Sequence, residues 1–253
     1  MTGFRQAIAF LTRVPLAGAY EVDKAVAWFP LVGALVGVTV AGAYWVLFPW
    51  VPSLLAAVAV ISLGVLLTGA FHEDGLADSF DAIGSGETGE DALRIMRDSR
   101  LGTHGTVAVI LSVGWRVVAL GSLTPAGAVA GLVMAHSLGR AGAVVLLAFS
   151  PPARSDGLGF SSASTATTGG VWFAVISGVL VSTLAAGFLV GAALVAVSLS
   201  AIILRRTALR RIGGVTGDIA GACEQISEML VLAIASAAAW RGWAPWWAGL
   251  SLG

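Results

Sequence analysis

Two long runs without charged residues constrain this chain more than any other feature. The first lies between Lys24 and His72 and is interrupted only by the turn-forming segment Pro49-Trp50-Val51-Pro52. A helix that crosses a bilayer needs roughly 20 apolar residues, so a run of this length is long enough for two crossings. It therefore predicts two membrane spans that are joined by a tight hairpin.

The other apolar segments predict five further spans. The second uncharged run ends at Leu204, and its apolar part from Val171 is long enough for two short spans that break near Gly187 or Gly191. Charged residues make up only 11% of the chain, against about 25% in soluble domains. We predict an all-α fold, a polytopic integral membrane helix bundle of about seven spans in the lipid bilayer. The three remaining spans are Gly105–Leu123, Ala126–Phe149 and Ile219–Trp240.

The N-terminal segment is predicted to lie on the membrane surface. Met1 to Val14 lacks a continuous apolar core, so it is not predicted to be a cleaved signal peptide. Phe4, Ile8 and Leu11 instead follow the spacing of a short helix in the membrane surface. Simple tethering is the favoured interpretation of this helix.

The balance of charges excludes one class of partner and predicts an orientation. The chain has 14 Lys and Arg residues and 14 Asp and Glu residues, so it has no basic excess that could bind nucleic acid. With seven spans, most of the arginines fall on one side, which the positive-inside rule makes cytoplasmic. The N-terminus is then cytoplasmic. Whether chains associate as a homo-oligomer is left open by the sequence.

Acidic residues concentrate in the predicted cytoplasmic segment between His72 and His104. If residues 71 to 82 form a helix, Asp74, Asp78 and Asp81 share one face within about 60°. Clustered carboxylates repel one another, and oxygen ligands suit Mg²⁺. The pattern therefore predicts a metal site, although a solvated acidic face is the alternative. Glu73 lies about 100° from that face and is a partial ligand at best.

Arginines follow the acidic helix and could bind phosphate. Guanidinium groups bind phosphate oxygens bidentately, but each of these arginines could equally be a positive-inside anchor. Asp98 stands among them and has three candidate roles: an ion pair with a neighbouring arginine, a fourth ligand of the metal, or a general base. The arginines are Arg94, Arg97 and Arg100.

Two further features suggest binding of an anion. Arg116 and Arg140 lie inside apolar spans, where a charge is expected to face an anion or a buried acid, or to snorkel to the interface. The segment Gly213-Gly214-Val215-Thr216-Gly217-Asp218 is a glycine-rich loop that opens a helix, a shape that lets backbone N–H groups approach phosphate. Glu224 and Glu228 stand one turn apart on that helix.

Five ordered blocks resemble those of the cobalamin synthase (adenosylcobinamide-GDP ribazoletransferase) family. The most specific is GAFHEDGLADSFDA at 69–82. The resemblance covers nearly the whole chain, with Arg97 and His104 standing where Lys and Phe are expected. The other blocks are FLTRVP at 10–15 with WFPLVG at 28–33, MRDSRLGTHG at 96–105, PAR at 152–154 with GLG at 157–159, and GG at 213–214 with GD at 217–218 and GA at 221–222.

The resemblance implies an Mg²⁺-dependent enzyme of the bacterial cytoplasmic (inner) membrane. Its substrates would be adenosylcobinamide-GDP and α-ribazole or α-ribazole 5′-phosphate, with GMP as the leaving group. Residues 1–253 would then be a single transmembrane catalytic domain, with a cytoplasmic active-site segment at 71–105. Asp74, Asp78 and Asp81 would hold the metal, with Glu73 and Asp98 as less certain ligands. One acid, or His72, would take the hydroxyl proton, and Arg154 would join the substrate-binding residues.

Two other functions stay open at this point. A CDP-alcohol phosphotransferase performs a similar displacement, but its motif has Asp and Ala-Arg where this chain has Phe71 and Asp78-Ser79. An ion transporter places its site near the bilayer midplane, often between repeats. Here the acids gather in a predicted cytoplasmic segment and no internal repeat is evident, so this alternative is the less favoured.

Overall fold

The protein is a bundle of helices. The computed structural model describes residues 3–16, 25–155 and 167–251, and within these ranges there are ten α-helices and no β-strand. Two short 3₁₀ segments, Val26–Trp28 and Ala248–Ser251, accompany them. The predicted all-α class is confirmed. The helices are α1 Gly3–Leu11, α2 Phe29–Leu47, α3 Ser53–Thr68, α4 Phe71–Gly84, α5 Gly89–Met96, α6 Thr103–Gly121, α7 Pro125–Ala148, α8 Thr168–Ala186, α9 Leu189–Ile212 and α10 Gly217–Trp240.

The number of predicted spans agrees with the helices. Six helices of the described ranges are individually long and apolar enough to cross a membrane, and a seventh crossing is possible where α3 is followed by α4. The predicted division of the second uncharged run is confirmed, because α8 ends before Gly187, which has φ +61°. The side on which the N-terminus lies stays a prediction. Lys24 and the block at 157–159 lie outside the described residues.

A sharp bend separates the apolar helix α3 from the acidic helix α4. The two helix axes differ by 89°, and the bend consists of Gly69 at φ +67° and Ala70 at φ +59°. Glycine adopts this conformation readily, whereas for alanine it is strained. The bend directs α4 away from the axis of α3. Since α4 also carries four carboxylates, we place it outside the membrane-spanning segments, at one end of the bundle.

Helix α7 is the centre of the bundle. It is buried along most of its length, and glycines on α2 allow the two backbones to approach closely. A Cβ added at Gly37 would lie 2.8 Å from the carbonyl oxygen of Leu132. Small residues serve this purpose in membrane helix packing. Apolar side chains such as Leu180 and Ile203 are exposed on the outer helices α8 and α9, as expected for surfaces that face lipid.

The N-terminal helix α1 is attached to the bundle by specific contacts. Leu11 is buried, Phe4 packs edge-on against Trp28 and Phe10 packs edge-on against Phe71. The backbone N–H of Arg13 donates a hydrogen bond of 2.7 Å to the carbonyl oxygen of Leu67. The segment is therefore more than the tether that the sequence favoured, because it fixes the chain beside the α3–α4 bend.

Candidate active site

Two glycines bring the acidic helix α4 against the start of α10. A Cβ added at Gly221 would lie 3.4 Å from the Cα of Gly75, and a Cβ added at Gly75 would lie 2.9 Å from the carbonyl oxygen of Asp218. No larger residue fits at Gly75 without moving one of the backbones. This close approach places the aspartates of α4 beside Asp218, the first acidic residue of α10.

Four carboxylates converge at this junction. Asp74 is exposed, and Asp78, Asp81 and Asp218 are partly buried. Burial raises the pKa of Asp78 to about 7, and the negative charges of Asp74, Asp218 and Asp81 add to this effect. The three aspartates that were predicted to share one face of α4 therefore belong to a cluster of negative charges that repel one another. A cation or a proton is needed to relieve the repulsion.

Asp81 has a structural partner as well. Its two carboxylate oxygens accept hydrogen bonds from the backbone N–H groups of Gly102 and Gly105, at 2.7 and 2.8 Å. A Cβ at Gly105 would lie 2.7 Å from the carbonyl oxygen of Ala77, so glycine is required there. Asp81 thus anchors the start of α6 against α4, which explains why residues 96–105 accompany the acidic helix.

The glycine-rich loop before α10 positions an arginine at the cluster. Gly213 has φ +74°, and a Cβ added at Gly214 would lie 2.6 Å from the carbonyl oxygen of Pro151. Backbone hydrogen bonds then tie Val215 to Pro151 and Ala153. As a result Arg154 lies against Asp218, with 2.5 Å between Nη2 and Oδ2.

The arginines that follow α4 are at the surface. Arg94 pairs with Asp91 at 3.0 Å, and Arg100 pairs with Asp98 at 2.6 Å. The hydrogen bonds from Arg100 lower the pKa of Asp98 to about 2. Arg97 is exposed. Of the roles left open for Asp98, pairing with a neighbouring arginine is the one that the contacts support.

A second, buried group of charges lies in the bundle interior behind α4. Arg116 contacts Glu73 at 3.0 Å and Glu228 at 2.9 Å, and Arg140 contacts Glu224 at 2.6 Å and Glu228 at 3.4 Å. We call these five residues, together with His136, the buried ionic network. His136 Nδ1 is in direct contact with Glu228 Oε1. Both arginines are almost completely buried and face buried acids, one of the three roles considered for them.

Comparison with known proteins identifies the family. The profile described as Cobalamin-5-phosphate synthase matches residues 3–236. The chain belongs to this family. It is 43% identical over 244 residues to an adenosylcobinamide-GDP ribazoletransferase of Bradyrhizobium diazoefficiens, with 92% of each chain covered. It is 37% identical over 235 residues to the same enzyme of Ralstonia pickettii, covering 89% of this chain and 91% of the relative. No solved structure matches.

Membership in the cobalamin-5-phosphate synthase family confirms the resemblance seen in the sequence and makes the chain a membrane transferase of cobalamin synthesis. The structure brings the separate blocks to one place. The blocks at 69–82, 96–105, 152–154 and 213–222 all meet at the aspartate cluster of Asp74, Asp78, Asp81 and Asp218. Glu73 lies instead in the buried ionic network, and His72, which is buried, lies 3.9 Å from Glu224.

His136 is a candidate functional residue that the sequence did not indicate. Within the described ranges, His136, Glu224 and Glu228 are the one group of three potential metal ligands whose ligand atoms all lie within 4.8 Å of one another. The spacing of one helical turn drew attention to the two glutamates. A single histidine in an apolar span has no such spacing pattern that would indicate a function. Arg116 and Arg140 already contact these acids, so cations of the protein itself occupy this place.

Proposed function

We propose that this chain joins adenosylcobinamide-GDP to α-ribazole or α-ribazole 5′-phosphate. The acceptor hydroxyl oxygen forms a bond to the cobinamide-side phosphorus, and the bond from that phosphorus to the GMP oxygen breaks. The products are adenosylcobalamin or its 5′-phosphate, GMP and one proton. The observation that carries the proposal is the convergence of Asp74, Asp78 and Asp218 at the end of the bundle, in a chain of this family.

The residues present fit a magnesium ion. Asp78 has a raised pKa because it is partly buried and because it faces other carboxylates, and Asp74 beside it is exposed. Mg²⁺ is usually bound by one or two carboxylates plus water and substrate phosphates, so a closed cage of ligands is not required. Asp74 and Asp78 would hold the ion, with Asp81 and Asp218 next to them. When bound, Mg²⁺ would neutralise diphosphate oxygens and stabilise the charge on the leaving phosphate.

The side chains of the cluster account for the remaining steps. Arg154 contacts Asp218 with one nitrogen, which leaves other N–H groups of its guanidinium able to bind a phosphate oxygen. The hydroxyl proton of the acceptor passes to Asp74 or Asp78. His72 was the alternative base, but it is buried against Glu224 and does not face the open side of the cluster.

The proposed site opens to the cytoplasm. Positive charges concentrate on the side of α4 and α5 when the predicted topology is applied. The donor carries a diphosphate, and the 5′-phosphate form of the acceptor carries a phosphate. A site in the inner membrane that faces the cytoplasm reaches such charged substrates from the cytoplasm without a transport step.

A reconstituted assay tests the proposal. The purified protein in lipid nanodiscs would be incubated with adenosylcobinamide-GDP, α-ribazole 5′-phosphate and Mg²⁺, and the products separated by chromatography. We expect adenosylcobalamin 5′-phosphate and GMP in equal amounts. Absence of product from folded protein would reject the proposal. Release of CMP from a CDP-alcohol, or uptake of a cation by sealed vesicles, would then support the two alternative functions.

The raised pKa of Asp78 predicts a pH-dependent magnesium requirement. A carboxyl group whose pKa is about 7 is protonated and neutral below that value, so protons compete with the metal there and not above it. We expect the Mg²⁺ concentration for half-maximal activity to rise by up to about tenfold per pH unit below 7. Titrations at pH 6, 7 and 8 measure this. Equal requirements at pH 6 and pH 8 would contradict it.

The contact between α4 and α10 predicts that Gly75→Ala lowers activity. The added Cβ would lie 2.9 Å from a backbone oxygen of Asp218, and neither helix can yield without separating the aspartates. We expect a fall in kcat/KM of at least tenfold and a loss of stability of about 1–3 kcal/mol. Gly114→Ala is the matched control, because nothing lies within 4 Å of its Cβ. Equal kinetics for the two variants would contradict the packing argument.

A further inference from the structure

A cavity beside the aspartate cluster is not explained by the residues described so far. It has a volume of about 760 Å³ and lies between residues 9–15, which end and follow α1, and the α3–α4 bend. Its size is within the range of pockets that bind small organic ligands. Asp74 is part of its wall, so the cavity adjoins the proposed site of transfer.

Arg13 is the cationic group of this cavity. Its side chain lies directly over Gly69: a Cβ added at Gly69 would be only 2.8 Å from Cζ of the guanidinium. The backbone N–H of Arg13 is bonded to Leu67, which fixes the position of the residue. The side chain is exposed, and no carboxylate oxygen of the described residues lies within 4.0 Å of its nitrogens. An arginine held in this way has its N–H groups available for an anion.

Apart from Thr12 and Thr68, the remaining wall is apolar and partly aromatic. Phe10 and Phe71 lie in edge-on contact with a centroid distance of 5.3 Å, and Val14 and Pro15 complete that side. A ligand of matching chemistry has a flat, weakly polar ring for this side and a phosphate for Arg13. Asp74, at the wall, faces the same space and would approach the phosphate through a metal ion, since a carboxylate alone would repel it.

We propose that this cavity binds a nucleoside 5′-phosphate group, with Arg13 holding the phosphate and the apolar wall covering the base. The inference rests on the proposed function and deepens it. Two substrates carry this chemistry, the guanosine part of the donor and α-ribazole 5′-phosphate. The cavity is large enough for a group of that size, and its contact with Asp74 brings either phosphate to the aspartate cluster.

Binding measurements with Arg13 variants test the proposal. Wild type, Arg13→Gln and Arg13→Lys in nanodiscs would be titrated by equilibrium dialysis with GMP, α-ribazole 5′-phosphate and α-ribazole. We expect Arg13→Gln to weaken binding of one of the two phosphates at least tenfold, Arg13→Lys to weaken it less, and α-ribazole to be unaffected. Arg5→Gln is the control, because Arg5 is an exposed arginine of α1, the helix that precedes Arg13, and does not line the cavity.

The ligand whose affinity falls in Arg13→Gln is the one that occupies the cavity. The KM for the corresponding substrate should rise in parallel. Unchanged binding of both phosphates in Arg13→Gln would overturn the proposal. If Arg13→Gln does not fold, Val14→Trp fills the same cavity and is expected to weaken the same ligand; unchanged binding would again overturn it. Failure of wild type to form product would reject the proposed function instead, whatever the Arg13 variants do.

Discussion

Asp78→Asn is expected to lower kcat by roughly 10²–10³-fold, the range found when one electrostatic group of a transition-state site is removed. Asparagine keeps the volume of the side chain but removes the negative charge. Burial and the other carboxylates of the cluster together raise the pKa of Asp78, so this residue is central to any cation site there. The rate of GMP release at saturating substrates measures the effect.

The control for Asp78→Asn is Glu90→Gln. Glu90 is an exposed acid in the first turn of α5, so its neutral variant removes the same charge at a distance from the cluster. We expect the rate of Glu90→Gln to stay near that of wild type. An Asp78→Asn enzyme as active as wild type would contradict the role of Asp78. Equal losses in both variants would show that the total charge of the segment matters and not the cluster.

Arg116→Leu is expected to destabilise the fold by about 3–5 kcal/mol, the cost of leaving a buried charge without its partner. Arg116 joins Glu73 on α4 to Glu228 on α10, so the variant leaves two buried carboxylates facing each other without that cation. Unfolding in a denaturing detergent, followed by loss of helical circular dichroism, measures the change. Arg94→Leu, which removes an exposed ion pair, is expected to cost at most about 1 kcal/mol.

The double variant Arg116→Leu with Glu73→Leu separates charge from packing. It removes one positive and one negative group, so the net charge of the buried ionic network is the same as in wild type. Glu228 keeps Arg140 and His136 as partners. We expect the double variant to be more stable than Arg116→Leu alone. If Glu73→Leu adds to the loss of stability caused by Arg116→Leu, the arginine stabilises the fold through its size and not through its charge.

Local patterns were sufficient to predict most of the fold. Uncharged runs predicted the membrane helices, and the positive φ of Gly187 agrees with one of the two glycines at which a break was expected. The shared face of Asp74, Asp78 and Asp81 also follows from helical periodicity alone. These features depend on residues close in sequence, where geometry is fixed by the helix itself.

The partners across helices could not be predicted in the same way. Glu73 was considered as a ligand beside Asp74, but it points to Arg116, 43 residues away. Whether an arginine in a span faces a substrate or a buried acid depends on how the helices pack, and periodicity does not contain that information. The same applies to His136, a single polar residue whose role is evident only from Glu228 beside it.

Locating the divalent ion decides whether the aspartate cluster is the metal site. Mn²⁺, as a paramagnetic substitute for Mg²⁺, would be titrated into nanodisc preparations and free ion measured by electron paramagnetic resonance. We predict that wild type binds Mn²⁺ more tightly with adenosylcobinamide-GDP present, that Asp74→Asn with Asp78→Asn abolishes this binding, and that Glu224→Gln retains it. Binding that survives the double aspartate variant but is lost in Glu224→Gln would contradict a metal site at the aspartate cluster and place the metal in the buried ionic network.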